Sequence, residues 1–123
     1  MIQVTYPNMR MELLDYLQGL ADLEYQKRVW VNGESDGSFV HDEFDYAVHF
    51  LYDDTALAGD VHSTIGVILQ DDSEAQTIEA LTICIDAVFE KYGTELSDAQ
   101  YIALPEWQSV VAAAKAAIRL MQA

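Results

Sequence analysis

Phe44-Asp45-Tyr46-Ala47-Val48-His49-Phe50-Leu51-Tyr52 fits two periodicities, and the fold class turns on which one the chain adopts. Phe44, Val48 and Leu51 recur at helical spacing, whereas Tyr46, Val48, Phe50 and Tyr52 alternate as a strand would. Thr64 to Leu69 carries the same ambiguity. The segments on either side read as helices, and an isolated pair of short strands is a weak structure. The sequence therefore predicts helices in both places and a mostly α, single-domain helical bundle over residues 1–123. The alternative is an α+β fold with a small hairpin within 44–69.

Met9 to Trp30 places Leu13, Leu17, Leu20 and Leu23 at helical spacing, with Asn8 available as N-cap and Gly19 a slight weakness. Asn32 to Ser38 is rich in Gly, Asn, Asp and Ser and reads as a loop. A further helix is predicted from Ser73, which with Gln76 makes an S-x-x-Q capping pattern, through Ile78, Leu81, Ile85 and Val88 to a stop near Gly93. Ser97 and Gln100 repeat the pattern and predict a short helical turn through Ala103. Pro105 then suits the first position of a last helix. Its buried face would be Trp107, Val110 or Val111, Ala114, Ile118 and Met121, with alanines from Ala112 to Ala117 allowing close helix approach.

The chain has 123 residues, 51% of them hydrophobic, so one core suffices and the disordered class is excluded despite a net charge of -15. Its apolar runs are too short to span a bilayer, and Met1 to Thr5 lacks a signal-peptide pattern, so the expectation is a cytoplasmic protein. Cys84 is the single cysteine and forms no internal disulfide. It falls between Leu81 and Ile85, where a thiol acts as a small hydrophobe. The six Lys and Arg are scattered, which argues against binding nucleic acid or an anionic membrane.

The acids are not scattered. From Val29 to Glu90 there is no Lys or Arg, yet the stretch holds fourteen Asp and Glu. Asp71 through Glu90 belong mostly to the first turn and solvated side of a helix, where acids are ordinary. The informative part is Glu34, Asp36, Asp42, Glu43, Asp45, Asp53, Asp54 and Asp60, interleaved with Tyr46 and Tyr52. Unneutralised acids at this density repel one another, and with aromatic residues among them they suit a basic protein partner. These ten residues are the candidate partner-binding set.

A metal site would also have to lie here. On a helix Asp42, Asp45, His49 and Asp53 share one face, and imidazole with carboxylates could hold Zn²⁺, Mn²⁺ or Fe²⁺. That makes a metal-dependent hydrolase or metal-binding protein centred on Asp45, His49 and Asp53 the alternative function. Against it, there is no H-x-x-x-H or E-x-x-H pair, so the stronger reading is a solvated face on which His49 pairs with Asp45 or Asp53. Asp53 to Asp60 lacks the ligand pattern of an EF-hand, and there is no G-x-G-x-x-G or Walker sequence. His62 beside Ser63 is no triad without a base, an acid and an oxyanion site together. We expect no cofactor and no catalysis.

His41-Asp42-Glu43-Phe44-Asp45-Tyr46, His49-Phe50-Leu51-Tyr52-Asp53-Asp54-Thr55 and Tyr92-Gly93-Thr94-Glu95-Leu96-Ser97-Asp98 resemble a small uncharacterised family of acidic bacterial proteins. In size and acidity the chain is also similar to immunity proteins that neutralise toxins delivered between competing bacteria, including contact-dependent growth inhibition systems. Immunity proteins share no common motif, so the similarity carries over no residue roles. It implies a cognate toxin domain, often a basic nuclease, as the partner. The expected function is thus a non-catalytic inhibitor of a basic partner, with a non-catalytic adaptor or homo-oligomer as a further alternative.

Overall fold

Phe44–His49 form a helix, α3, that runs on as a wider π-helical turn over Phe50–Asp54. The structure, a computed structural model, describes residues 4–34 and 42–122. Phe44, Ala47, Phe50 and Leu51 are buried, while Asp45, Tyr46, His49, Asp53 and Asp54 are exposed. That division is one-sided only on a helix; a strand would have put Phe44, Tyr46 and Val48 on one face. The extra residue of the π turn lets the adjacent Phe50 and Leu51 both reach the core. Where the turn ends, the Thr55 hydroxyl donates to the Phe50 carbonyl at 2.8 Å.

The single helix expected over Met9–Trp30 is two. α1 spans Pro7–Ala21, and α2 spans Leu23–Tyr25 and continues as a π-helical segment, Gln26–Val31. Pro7 occupies the first turn, where its missing N–H is no loss. Asn8 lies inside the helix and is not its cap; the capping position is Tyr6, with no side-chain hydrogen bond. Asp22 breaks the run by going extended and accepting the Tyr25 N–H at 3.1 Å. Gln26, fully buried, secures the break: its amide nitrogen donates to the Gly19 and Leu20 carbonyls at 2.9 and 3.0 Å. Its amide oxygen accepts the Trp107 indole N–H at 2.8 Å.

α4 spans Asp72–Tyr92 and stops at Gly93, whose φ of +82° suits a residue without a side chain. Its cap is Asp71, not Ser73; Asp71 accepts the Glu74 N–H at 3.0 Å, which places Glu74 in the first turn facing inward. α5, Asp98–Ile102, carries the expected capping box of Ser97 and Gln100. α6 spans Trp107–Met121 and starts after Pro105, because the Trp107 N–H closes a turn onto the Leu104 carbonyl at 3.0 Å. It buries Trp107, Val110, Ala114, Ala117 and Met121 and packs against α1 and α4. Val110, not Val111, is the core residue, and Ile118 is half-buried beside Ala117.

Thr64 to Leu69 is not a helix. A 3-10 turn over Val61–Thr64 leads into a loop in which the Thr64 carbonyl accepts from the N–H groups of Val67, Ile68 and Leu69. Gly66, at φ +85°, turns the chain out of helical geometry. The freed carbonyls of Gly66 and Val67 accept from Thr5 and Tyr6, both at 2.9 Å. The hairpin alternative fails as well: among the described residues there is no strand, only an isolated bridge between Ile65 and Leu69. The fold is mostly α, and no described helix is long and apolar enough to cross a membrane.

One buried ion pair ties these parts together. The Arg10 guanidinium on α1 donates to both oxygens of Glu74 on α4 at 2.7 and 2.8 Å and to the Ile68 carbonyl at 3.2 Å. The same carboxylate accepts the Gln70 N–H at 2.7 Å. A bidentate pair is the geometry in which a guanidinium and a carboxylate best replace the water they lose. It also removes one of the six cations from the surface.

Candidate functional site

Phe44 fixes the first turn of α3 in the core. Its ring lies 5.0 Å from Trp107, 5.4 Å from Tyr101, 5.7 Å from Trp30 and 5.9 Å from Phe89, so four other elements hold it. Edge-on and offset contacts of this kind add to simple burial. The Phe44 N–H is one that the short helix cannot satisfy itself, and it donates to Asp98 of α5 at 3.1 Å. Two distant acid-bearing segments thereby meet. Between them lies a cleft of 260 Å³ with Phe44, Val48, Phe89, Leu96 and Tyr101 in its walls and Glu43, Asp45, Glu95 and Asp98 at its rim.

Asp98 records the electrostatic consequence. Partial burial pushes its carboxyl above the ordinary range, the hydrogen bond from Phe44 pulls the other way, and repulsion from Glu43, Asp45 and Asp42 raises it further. Carboxylates crowded at a desolvated edge hold protons more tightly because each ionisation opposes the next. A cation arriving there would relieve that repulsion.

The remaining candidates divide by what they touch. Asp45, Asp53, Asp54 and Asp60 are exposed, as is Glu34 at the end of the first described segment. Tyr46 is 40% exposed on α3. Asp42, by contrast, is half-buried: one oxygen accepts from the Tyr25 hydroxyl at 2.5 Å and the Trp30 indole N–H at 3.1 Å, and the other accepts the Glu43 N–H at 2.9 Å. It is an anchor for the chain entering α3 and not a free charge. Tyr52 is also turned inward, its hydroxyl donating to Asp86 at 2.6 Å and set against the Thr82 carbonyl at 3.3 Å; burial, then Asp86, push its ionisation far up. Glu43 is half-buried. Asp36 lies outside the described residues.

His49 pairs with both of its helical neighbours, Asp53 through Nδ1 at 2.6 Å and Asp45 through Nε2 at 3.2 Å. Two carboxylate partners favour the protonated ring, in which both nitrogens donate. The hydrogen bond to Asp53 and the charge of Asp45 raise its pKa accordingly. Among the described residues no group of three or more His, Cys, Asp or Glu could hold a metal ion. Cys84 is half-buried and packs against the core.

Sequence reasoning missed part of the surface. Glu12 of α1 joins Asp42 and Asp54 in acting on Tyr16, so acids on α1 face the same region as those around α3. Glu95 and Asp98 follow the stop at Gly93, and nothing local marks them as neighbours of Asp45. Only the contact between α5 and the start of α3 does so.

Helices around an aromatic core, with a carboxylate-rimmed cleft and an exposed acidic helix beside it, define a small all-α protein with one strongly anionic face. The chain belongs to the family described as a domain of unknown function, DUF7945, whose model matches residues 4–123. No curated protein and no solved structure matches it.

Proposed function

We propose that this chain is an acidic protein-binding inhibitor that captures a basic partner, most concretely an immunity protein that neutralises a bacterial toxin such as a nuclease. The supporting observation is the cleft of Glu43, Asp45, Glu95 and Asp98, with no lysine or arginine among its lining residues, together with the exposed Asp53 and Asp54 on the π-helical turn that continues α3. Such a face attracts a surface built to bind phosphate. It would accelerate encounter by up to about a thousandfold at low salt, and Tyr46 with the apolar walls of the cleft would slow departure. Asp42 and Tyr52 serve the surface indirectly, by holding α3 in place.

Metal catalysis has less support, because Asp45, His49 and Asp53 do not make up a group that could hold an ion among the described residues. The test is to co-express the chain with the product of the adjacent reading frame, where an immunity gene's toxin is expected. Rescue of growth by the parent, and its loss on reversing Asp45, Asp53 and Asp54 to Lys, is the expected result. Growth inhibition unaffected by the parent, or rescue equally good with the reversed variant, counts against the reading.

A further inference from the structure

α5 separates two concavities of opposite character. Tyr101 lines the acidic cleft, while its neighbour Ile102 lines a groove of 650 Å³. One wall of the groove is α6, along Trp107, Val111, Ala112 and Lys115; Leu23 and the Ile102–Pro105 linker form the other. In a chain with 21 acidic residues, none lines this groove, and Lys115 is its single charged lining residue. Lys115 makes no ion pair with another described residue. Leu23, which a soluble helix would ordinarily turn inward, is 38% exposed at its edge.

We propose that this groove binds a linear monoanionic amphiphile, a medium-chain carboxylate, with its head group at Lys115 and its tail running along α6 toward Trp107. Three features select that occupant. The volume lies in the small-molecule range of roughly 300–1,000 Å³, with apolar walls and one charge to fix orientation. From Trp107 to Lys115 the helix rises about 12 Å, the length of a saturated chain of about ten carbons. No acidic side chain lines the groove to repel the head group. A second copy would bring another net charge of -15 with it, and an anionic bilayer would be repelled for the same reason. A single small anion meets only the local cation once salt screens charges beyond about 8 Å.

Titration calorimetry with octanoate, decanoate and dodecanoate, each below its micellar concentration, tests the proposal. Binding should be saturable at one site per chain. It should tighten about twofold per methylene, half the full-burial effect on a logarithmic scale because the groove is open on one side, and level off near ten carbons. Lys115→Glu should weaken decanoate about tenfold, the weight of one charge-assisted hydrogen bond, and leave decanol unchanged. Ala112→Phe, at an exposed position and with its folding checked by circular dichroism, should block both ligands. No saturable heat, affinity independent of chain length, or decanoate binding indifferent to Lys115→Glu overturns the proposal. A ligand-free dimer in sedimentation that Ala112→Phe dissolves also overturns it, assigning the groove to a second copy.

Discussion

Replacing Gln26 with Leu should destabilise the protein by roughly 3 kcal/mol, although the substitution keeps the side-chain volume and increases apolar burial. Gln26 is fully buried, and its three hydrogen bonds reach the Gly19 and Leu20 carbonyls and the Trp107 indole, each between 2.8 and 3.0 Å. Leucine leaves the indole N–H unpaired at about 2 kcal/mol and removes a partner from each carbonyl at about 1 kcal/mol, offset by about 1 kcal/mol of added apolar burial. For a chain of this size that corresponds to a fall in Tm of about 10 °C. Urea melts followed by far-ultraviolet circular dichroism and tryptophan fluorescence measure it. Trp107→Phe in the Gln26→Leu background should cost about 1 kcal/mol less than in the parent, since the indole has already lost its acceptor. A Gln26→Leu protein within about 0.5 kcal/mol of the parent would refute the account of how α1 ends.

Glu74→Gln leaves the Arg10 charge in a largely buried position without its counter-ion and should cost about 3 kcal/mol, read as a lower urea midpoint at unchanged slope. The His49 ring should titrate above its ordinary value in a proton NMR series and move down in Asp53→Asn, whose hydrogen bond is the leading cause of the shift. Because that pKa is raised in the folded state, its contribution to stability is complete below the unfolded value near 6.5 and is lost as pH rises through the folded value. Asp98 has the same sign of pH dependence, although here it is the ionised form that folding disfavours. Its raised carboxyl pKa means the folded state binds protons more readily, so this group favours folding increasingly as pH falls through its folded value toward the unfolded one. Asp98→Asn, which retains an acceptor for Phe44, should match or exceed the parent in a neutral-pH melt, whereas Asp98→Ala should lose about 1 kcal/mol with the cap.

Local chemistry carried the parts of the fold that were legible. The capping box at Ser97 and Gln100, the stop at Gly93 and the periodicity of α4 and α6 act within a few residues and appear where they were expected. The helix over Phe44 to Tyr52 was resolved by its flanking elements. What escaped depended on partners far along the chain. Gln26 breaks a helix because Trp107 is waiting 81 positions away, and Glu74 displaces the cap from Ser73 to Asp71 because Arg10 claims it from 64 positions away. Thr64 to Leu69 gave up helical hydrogen bonds to receive Thr5 and Tyr6. That Asp45, Asp53, Asp54 and Asp60 lie exposed was legible from composition. The anchoring of Asp42 by Tyr25 and Trp30 could not be read without the packing of α2 beside α3, nor the arrival of Asp98 without that of α5.

That difference bears on how the acidic face is probed. Reversing Asp42 to Lys would sever its bonds to Tyr25 and Trp30 and confound charge with folding, so the informative set is Asp45, Asp53 and Asp54. The most direct measurement is the stopped-flow association rate of the parent and the triple Lys variant with the basic partner that the proposed function requires, the adjacent reading frame's product, across a series of salt concentrations. A steep fall in rate with salt for the parent, and a slower, nearly salt-independent rate for the variant, is the predicted result. Identical rates at low salt would contradict it.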